Sequence, residues 1–350
     1  MRILHVIAGA PVGGAETFAV DAITALAARG IKQHVVCRPF RLPLERYAAA
    51  GIGTTTLRFS ALDRFYPGSR MIRARARTLG ADLVHAWMSR AGSFVPATLD
   101  CPAIGWFGDY YKLKYFENCD SFFAVTPDIA ASITKRGMAP ERVFTTNTFG
   151  SMPDAPPVSR ASLDTPEQAP VALVLSRMHS VKGIDTMLRA AVDIPGLYVW
   201  LAGDGPERAT YQALAQSLGL GARTRFLGWR QDRKALLDAC DICVLPSRYE
   251  PFGTVIIEAW AAGKPLVSTA ADGARQYVRD GQDGLLCPID DPKALSACLS
   301  RLLVEPALAA RLATAGHARF AADFTRDIVI DRLIQSYGKA LTLGKRTSRR

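Results

Sequence analysis

The sequence predicts an α/β protein of two domains, each a parallel sheet with helices on both faces, and three observations carry that reading. Short β-rich apolar runs alternate with stretches of helical periodicity. The alternation halts in a proline-rich segment, residues 151–170, and then restarts. At roughly 150 residues per domain, 350 residues is enough for two. Hydrophobic residues at 49%, charged residues at 21% and a mean hydropathy of +0.08 fit a globular chain and exclude disordered, collagen-like and coiled-coil classes. No run approaches the roughly 18 apolar residues of a spanning helix. The opening MRILHVIAGAPVGGAE breaks into glycine instead of continuing as a signal-peptide core, so a cytoplasmic protein is expected. Seven cysteines scattered from Cys37 to Cys298 fit a reducing compartment better than a disulfide framework.

RILHVIA (2–8) is a strand that breaks at Gly9, Pro11, Gly13 and Gly14, and AETFAVDAITALAARG then carries apolar residues at helical spacing up to Gly30. HVVCR, TTTLRF, DLVHAW, AIGWF, SFFAV and RVFTT are further strands, separated by turn residues or by helical stretches such as DIAASITKRG. SMPDAPPVSRASLDTPEQAP (151–170), with five prolines among serines and acids, reads as an interdomain linker. VALVLS, LYVWLAG, TRFLG, ICVLPS and PLVST are the strands of a second domain of similar size. The expected division is therefore residues 1–155, a linker at 156–170, a second domain at 171–322, a helix over about 323–345 crossing back to the first domain, and a basic tail at 346–350.

Charge is uneven. Of the net +11, residues 1–155 carry 18 basic against 12 acidic side chains, residues 156–344 carry 21 against 20, and the last six residues add four basic ones. The first half is thus expected to meet something anionic, a membrane surface, a phosphorylated acceptor or a nucleic acid, with a solvated basic face as the plain alternative.

The most informative stretch is SRYEPFGTVIIEAWAAGKPLVST (247–269). A strand ends at a loop holding Glu250, Phe252 and Gly253, and a helix starts near Thr254 and carries Glu258. In open α/β sheets ligands sit beyond the carboxyl ends of strands, where free amides at a helix start attract phosphate. Eight residues separate the glutamates, so a ligand across the helix start could touch both. Carboxylates that accept from vicinal hydroxyls suit a sugar at one end and a ribose at the other. The spacing alone is equally met by two solvated surface acids.

Glu250 and Glu258, with Pro251, Phe252, Gly253 and EAWAAGKPLV, resemble the E-x7-E signature of retaining, nucleotide-sugar-dependent glycosyltransferases of the GT-B fold, family 4. SRMHSVKGIDTMLRA (176–190) is similar to that family's Arg-x4-Lys-Gly element. LAGDGPERATYQALA (201–215), which holds Gly203, is similar to its glycine turn, and RFLGW (225–229) to its nucleoside-contacting loop. DGQDGLLCPIDDPKALSACLSRLL (280–303) resembles its closing segment, and VGGAE (12–16) its first glycine loop. The likeness is dense over 171–303 and sparse before 150. It implies two Rossmann-like domains facing a cleft, with a nucleotide diphosphate sugar held by the second and a glycan or lipid-linked acceptor by the first. It further implies transfer with retention by front-face departure, in which the leaving phosphate oxygen takes the acceptor proton.

Arg177 and Lys182 flank a strand-to-helix loop, and a diphosphate leaving group needs cations where its charge develops. No Asp-x-Asp element stands where metal-dependent transferases use one, so no metal and no cofactor are expected; Asp290–Asp291 before Pro292 reads as a helix cap. Glu258 is expected on the ribose and Glu250 on the donor sugar, with Gly13, Gly14, Gly203, Phe252, Gly253 and Thr254 around the donor. Glu16 reads as dipole compensation. Many relatives carry a histidine near the sugar; here PAIGWFGDYYKLKYF has none, and Asp109 is the candidate, with His85 as the alternative.

Cys240 and Cys243 form C-x-x-C with no second pair, which favours core packing over metal binding. Trp87, Trp106, Tyr110, Tyr111 and Tyr115 are expected in core or cleft wall, with sugar stacking as the other option. SRMIRARARTLG (69–80) sets Arg70, Arg73 and Arg77 on one side of a helix, which suits a membrane surface as well as plain solvent. Rival readings are a nucleotide-sugar epimerase of the same fold and an inactive membrane- or nucleic-acid-binding scaffold. Nucleic acid is disfavoured, because no recognition motif accompanies the charge.

Overall fold

The computed structural model describes residues 1–10, 13–60, 62–63, 68–150, 152, 155–156 and 158–346. Val12, part of the proline-rich segment and all of the expected basic tail except Arg346 lie outside the described residues. The chain divides into two units, Met1–Phe149 with Arg326–Arg350, and Gly150–Thr325.

The first unit is built on β1 (Arg2–Ile7), α1 (Gly14–Ala28), β2 (Lys32–Cys37), α2 (Arg41–Ala49), β3 (Gly53–Thr56), α3 (Gly68–Leu79), β4 (Leu83–Trp87), α4 (Met88–Gly92), β5 (Ala103–Phe107), β6 (Ser121–Ala124), α5 (Pro127–Lys135) and β7 (Val143–Thr145). All its pairings are parallel, in the order β3-β2-β1-β4-β5-β6-β7. β4, β5 and β6 are buried at every position, as expected of strands covered on both faces. Thr126 caps α5 by accepting from the Ile129 amide at 3.2 Å, with Pro127 at the first helical position.

The second unit comprises β8 (Val171–Leu175), α6 (Ile184–Val192), β9 (Tyr198–Ala202), α7 (Arg208–Ser217), β10 (Thr224–Gly228), α8 (Arg233–Ala239), β11 (Ile242–Leu245), α9 (Thr254–Ala261), β12 (Leu266–Thr269), α10 (Asp272–Tyr277), β13 (Leu285–Cys287), α11 (Pro292–Val304) and α12 (Pro306–Asp323). Its strands are again parallel, in the order β10-β9-β8-β11-β12-β13. One apolar core runs from Val174, Met187 and Leu201 to Leu295, Leu299 and Leu312. Asp291 caps α11, its carboxylate accepting from the Ala294 amide at 2.9 Å, so the helix-capping reading of this acid fits.

Two boundaries differ from expectation. The described part of the proline-rich segment does not run free. Arg160 donates to the carbonyls of Ala239, Glu167 and Ala169 at 3.0, 2.9 and 2.7 Å and pairs with Asp241 at 2.8 Å, which ties it to the second unit. The last helix, α13 (Arg326–Leu343), starts three residues later than expected and packs with the first unit. Arg29, which follows α1, pairs with Asp327 and Asp331 at 2.9 and 2.8 Å, and Arg142 holds the carbonyls of Leu343 and Gly344 at 3.1 and 2.9 Å. No helix among the described residues is long and apolar enough to cross a membrane.

Candidate active site

In a doubly wound sheet the strand order reverses at one place, and the loops leaving the two strands there diverge to open a crevice. In the second unit that place lies between β8 and β11. The β8–α6 loop carries Arg177 and Lys182, and the β11–α9 loop carries Glu250. Sixty-eight residues apart in sequence, Lys182 Nζ and Glu250 Oε2 meet at 2.6 Å, with 15% and 16% of their side chains exposed. An ammonium has three donors, so this contact leaves Lys182 able to bind a second anion. Arg177 is exposed in the same loop, and its guanidinium makes no hydrogen bond or ion pair among the described residues.

Two glycines let the loops close on each other. Gly203, following β9, has φ +153, and a Cβ there would lie 1.9 Å from the Ser176 carbonyl oxygen. Gly183 has φ +62, and a Cβ would lie 1.9 Å from the Pro246 carbonyl oxygen, so the β8–α6 loop can rest against the end of β11. Beside these contacts stand two buried hydroxyls without a partner among the described residues, Ser176 Oγ after β8 and Ser247 Oγ after β11. A buried polar atom left unpaired is costly, and both sit at carboxyl ends of strands where a ligand belongs.

Gly253, with φ +89, precedes α9, and Thr254 is the first residue of that helix. Glu258, one turn further, is 1% exposed. Its Oε1 accepts from Arg233 Nη1 at the start of α8, while its Oε2 is buried without a partner among the described residues. Burial pushes its carboxyl up to about 7, and the charge and hydrogen bond of Arg233 pull the other way. A half-satisfied carboxylate on a helix start can accept from hydroxyls. Arg233, Ser176 and Ser247 were not singled out in the sequence; an arginine opening a helix carries no signal that it answers an acid 25 positions on.

Phe252 departs from expectation. Its ring is 6% exposed and packs edge-on against Tyr277 at 5.1 Å between centroids, so its side chain is core and only its backbone is left to a ligand. Cys240 and Cys243 are buried free thiols, Cys240 pushed up by burial to about 12, which fits core packing.

In the first unit the strand order reverses between β1 and β4. Gly13 caps α1 and Gly14 opens it. Glu16 Oε1 accepts from the Ala10 amide at 3.0 Å, and a Cβ on Gly9 or Gly13 would lie 2.4 or 2.2 Å from its carboxylate, so Glu16 closes the glycine loop as well as facing the helix dipole. Gly14 is exposed, and a Cβ placed on it would meet nothing within 4 Å. Asp109 lies two residues past β5 and accepts from the Tyr110 amide at 2.7 Å. Burial raises the Tyr111 phenol, and the carboxylates of Asp109 and Glu16 raise it further, which puts both acids near one ring. Met88, where β4 ends, takes φ +65, a strained value for a non-glycine residue at such a position.

His85 is removed as a candidate. It is fully buried, its Nδ1 is 2.7 Å from Tyr337 Oη on α13, and its ring lies 4.2 Å from that of Trp87. Burial holds its pKa well below the usual value, with His5 adding to the effect. It faces the last helix and not the strand ends. Trp87 and Trp106 are likewise core, at 5.3 Å between centroids.

A family model described as "Glycosyl transferases group 1" matches residues 157–319, and one described as "Glycosyltransferase Family 4" matches residues 12–147. The lipopolysaccharide core biosynthesis glycosyltransferase LpsE of Rhizobium meliloti (strain 1021) is 36% identical over 96% of this chain and 98% of its own. LpsD of the same strain, which carries the same description, is 34% identical over 97% and 99%. The crystal structure of HepE from Anabaena in complex with UDP superposes with a TM-score of 0.84, at 21% identity, over 97% of this chain and 100% of that one. The two parallel-sheet units are those of the GT-B fold.

Proposed function

The chain belongs to the group 1 glycosyltransferases, and from that premise we propose that it moves a sugar from a nucleotide diphosphate sugar to a glycan or lipid-linked acceptor in lipopolysaccharide core synthesis, with retention and without a metal. The names of the relatives LpsE and LpsD support the acceptor class, and HepE, solved with UDP, supports the donor class. The single observation that carries the site assignment is the 2.6 Å contact of Lys182 with Glu250 across the strand-order reversal. It sets a cation and a hydroxyl acceptor within one small volume, as a sugar joined to a diphosphate requires.

Glu258 accepts from the ribose hydroxyls, and Glu250 from the donor sugar. Lys182 and Arg177 hold the β-phosphate as its charge grows, in place of a metal. As the resemblance to retaining transferases implies, the departing phosphate oxygen takes the acceptor proton on the same face, so no side-chain nucleophile is needed and configuration is kept. Asp109 and the Gly13–Gly14 loop serve the acceptor in the first unit. The enzyme works in the cytoplasm at the inner face of the membrane, where lipid-linked acceptors are available, and the positive first unit supports an anionic partner.

Incubation with a panel of nucleotide sugars and a lipopolysaccharide core acceptor, in EDTA, tests this reading. The expected product keeps the donor's anomeric configuration by proton NMR. An inverted product, or activity abolished by the chelator, would overturn those parts of it. An epimerised sugar formed from donor alone would favour the epimerase.

A further inference from the structure

Consecutive residues of the β8–α6 loop meet consecutive residues of the β11–α9 loop. The Ser180 carbonyl accepts from Arg248 Nη1, the Val181 carbonyl accepts from the amides of Arg248 and Tyr249 at 2.8 and 3.2 Å, and Lys182 Nζ reaches Glu250 at 2.6 Å. A lysine ammonium rides on a flexible four-carbon stem. Where the Lys182 charge sits therefore depends on how firmly the two loops are held together.

Arg248 is placed to hold them. Its Nη1 and Nη2 grip both carboxylate oxygens of Asp185, at the start of α6, at 2.8 and 2.6 Å, the two-pronged geometry that fixes direction as well as distance. Its Nε meets Asp290 Oδ1, in the connection from β13 to α11, at 2.6 Å. With the Ser180 contact, four of its five donors are committed, and they tie together segments that follow β8, β11 and β13. The two neighbouring aspartates before α11 divide the work. Asp291 caps the helix, whereas Asp290 takes φ +59, uncommon outside glycine, and accepts from Thr186 Oγ1 at 3.3 Å as well as from Arg248.

Burial acts to raise the Asp185 carboxyl, but the hydrogen bond and charge of Arg248 hold it below its usual value, so Asp185 faces Arg248 as an anion. With two carboxylates on one guanidinium, no net positive charge is left there for a phosphate, which separates Arg248 from Lys182 in role. Stability alone is a poor reason for the cluster. Arg248, Asp185 and Asp290 keep 29%, 32% and 53% of their side chains exposed, and ion pairs so exposed add little to folding. What the fork supplies is geometry.

We propose that Arg248 is a positioning residue: it locks the β11–α9 loop onto the β8–α6 loop and thereby sets Lys182 against Glu250. The proposal rests on the reading of Lys182 as the cation that meets the leaving diphosphate.

The test is a double-mutant cycle. Arg248→Gln is made in wild type and in Lys182→Ala, and turnover is measured with the nucleotide-sugar panel and a lipopolysaccharide core acceptor. In wild type the substitution is expected to lower kcat by about tenfold or more, as misplacement of a charge-stabilising group does. In the Lys182→Ala background it is expected to change kcat by less than about twofold, because Arg248 acts through Lys182. Arg248→Lys keeps the charge but not the fork and is expected to recover part of the loss. An unchanged kcat in wild type would overturn the proposal. So would equal fractional losses in both backgrounds, since general damage to the fold does not depend on Lys182. If wild type transfers no sugar, the functional reading falls, and the ligand-free crystal structure of Arg248→Gln still decides the positioning claim: a lost Lys182–Glu250 contact supports it, and a retained one overturns it. Should that variant not fold, Asp185→Asn, which removes the fork's acceptor, takes its place in both measurements with the same outcomes.

Discussion

Replacing Glu258 by Gln should make the protein more stable at high pH than at low pH, relative to wild type. The carboxyl is buried and held at about 7, against an ordinary value of 4.5. Between those values the folded protein keeps a proton that the unfolded chain has released. Wild-type stability from this group is therefore fully present below pH 4.5, and it falls by ~1.4 kcal/mol per pH unit until it is lost above pH 7, about 3 kcal/mol in all. A neutral glutamine of the same shape removes that slope, and Arg233, 32% exposed, can turn to water. Urea unfolding of both proteins at pH 4.5, 6, 7 and 8 reads the difference directly. The expected gap, variant minus wild type, widens by about 3 kcal/mol across the series. A constant gap would refute the reasoning, because it would mean the carboxylate is not strained by burial. The same substitution should weaken nucleotide binding if Glu258 meets the ribose as proposed, since a charged carboxylate accepts more strongly from a hydroxyl than an amide oxygen does; stability and activity would move in opposite directions.

Lys182→Ala removes the cation proposed to meet the developing charge and is expected to lower kcat by about a hundredfold or more in a donor–acceptor assay. Gly203→Ala places a methyl 1.9 Å from the Ser176 carbonyl oxygen at φ +153, so the loop must shift; donor binding measured by thermal shift is expected to vanish while the far-UV spectrum stays. Tyr337→Phe leaves His85 Nδ1 without its 2.7 Å partner, which should cost about 1–3 kcal/mol of unfolding free energy. Its turnover should be unchanged, because His85 faces the last helix.

Most of the fold is legible in the sequence because parallel strands buried on both faces read as unbroken apolar runs. VALVL (171–175) and AIGWF (103–107) are buried at every position. The proline-rich segment misled for a physical reason: in sequence, prolines signal a turn and a linker alike, while the residue that anchors the described part of the segment is Arg160, whose partners lie up to 81 positions away. The pairing of Lys182 with Glu250 could be expected from two loops at adjacent strand ends. Arg233 could not, because a salt bridge between two helices leaves no periodicity. Phe252 shows the limit of a motif read as a block. Its backbone lies in the β11–α9 loop proposed to face the donor, but its ring packs on Tyr277. His85 shows the limit of a strand-end position, since alternate side chains face opposite sides of a sheet and its own faces α13.

The most direct test of the central claim is a calorimetric titration of the intact protein with a panel of nucleoside diphosphates, repeated on Lys182→Ala and Glu258→Gln. One diphosphate is expected to bind the wild type with 1:1 stoichiometry, affinity to fall by about tenfold or more in each variant, roughly 1.4 kcal/mol, and the Lys182 effect to disappear when the corresponding nucleoside is titrated instead. Binding to both variants as tight as to wild type would contradict it.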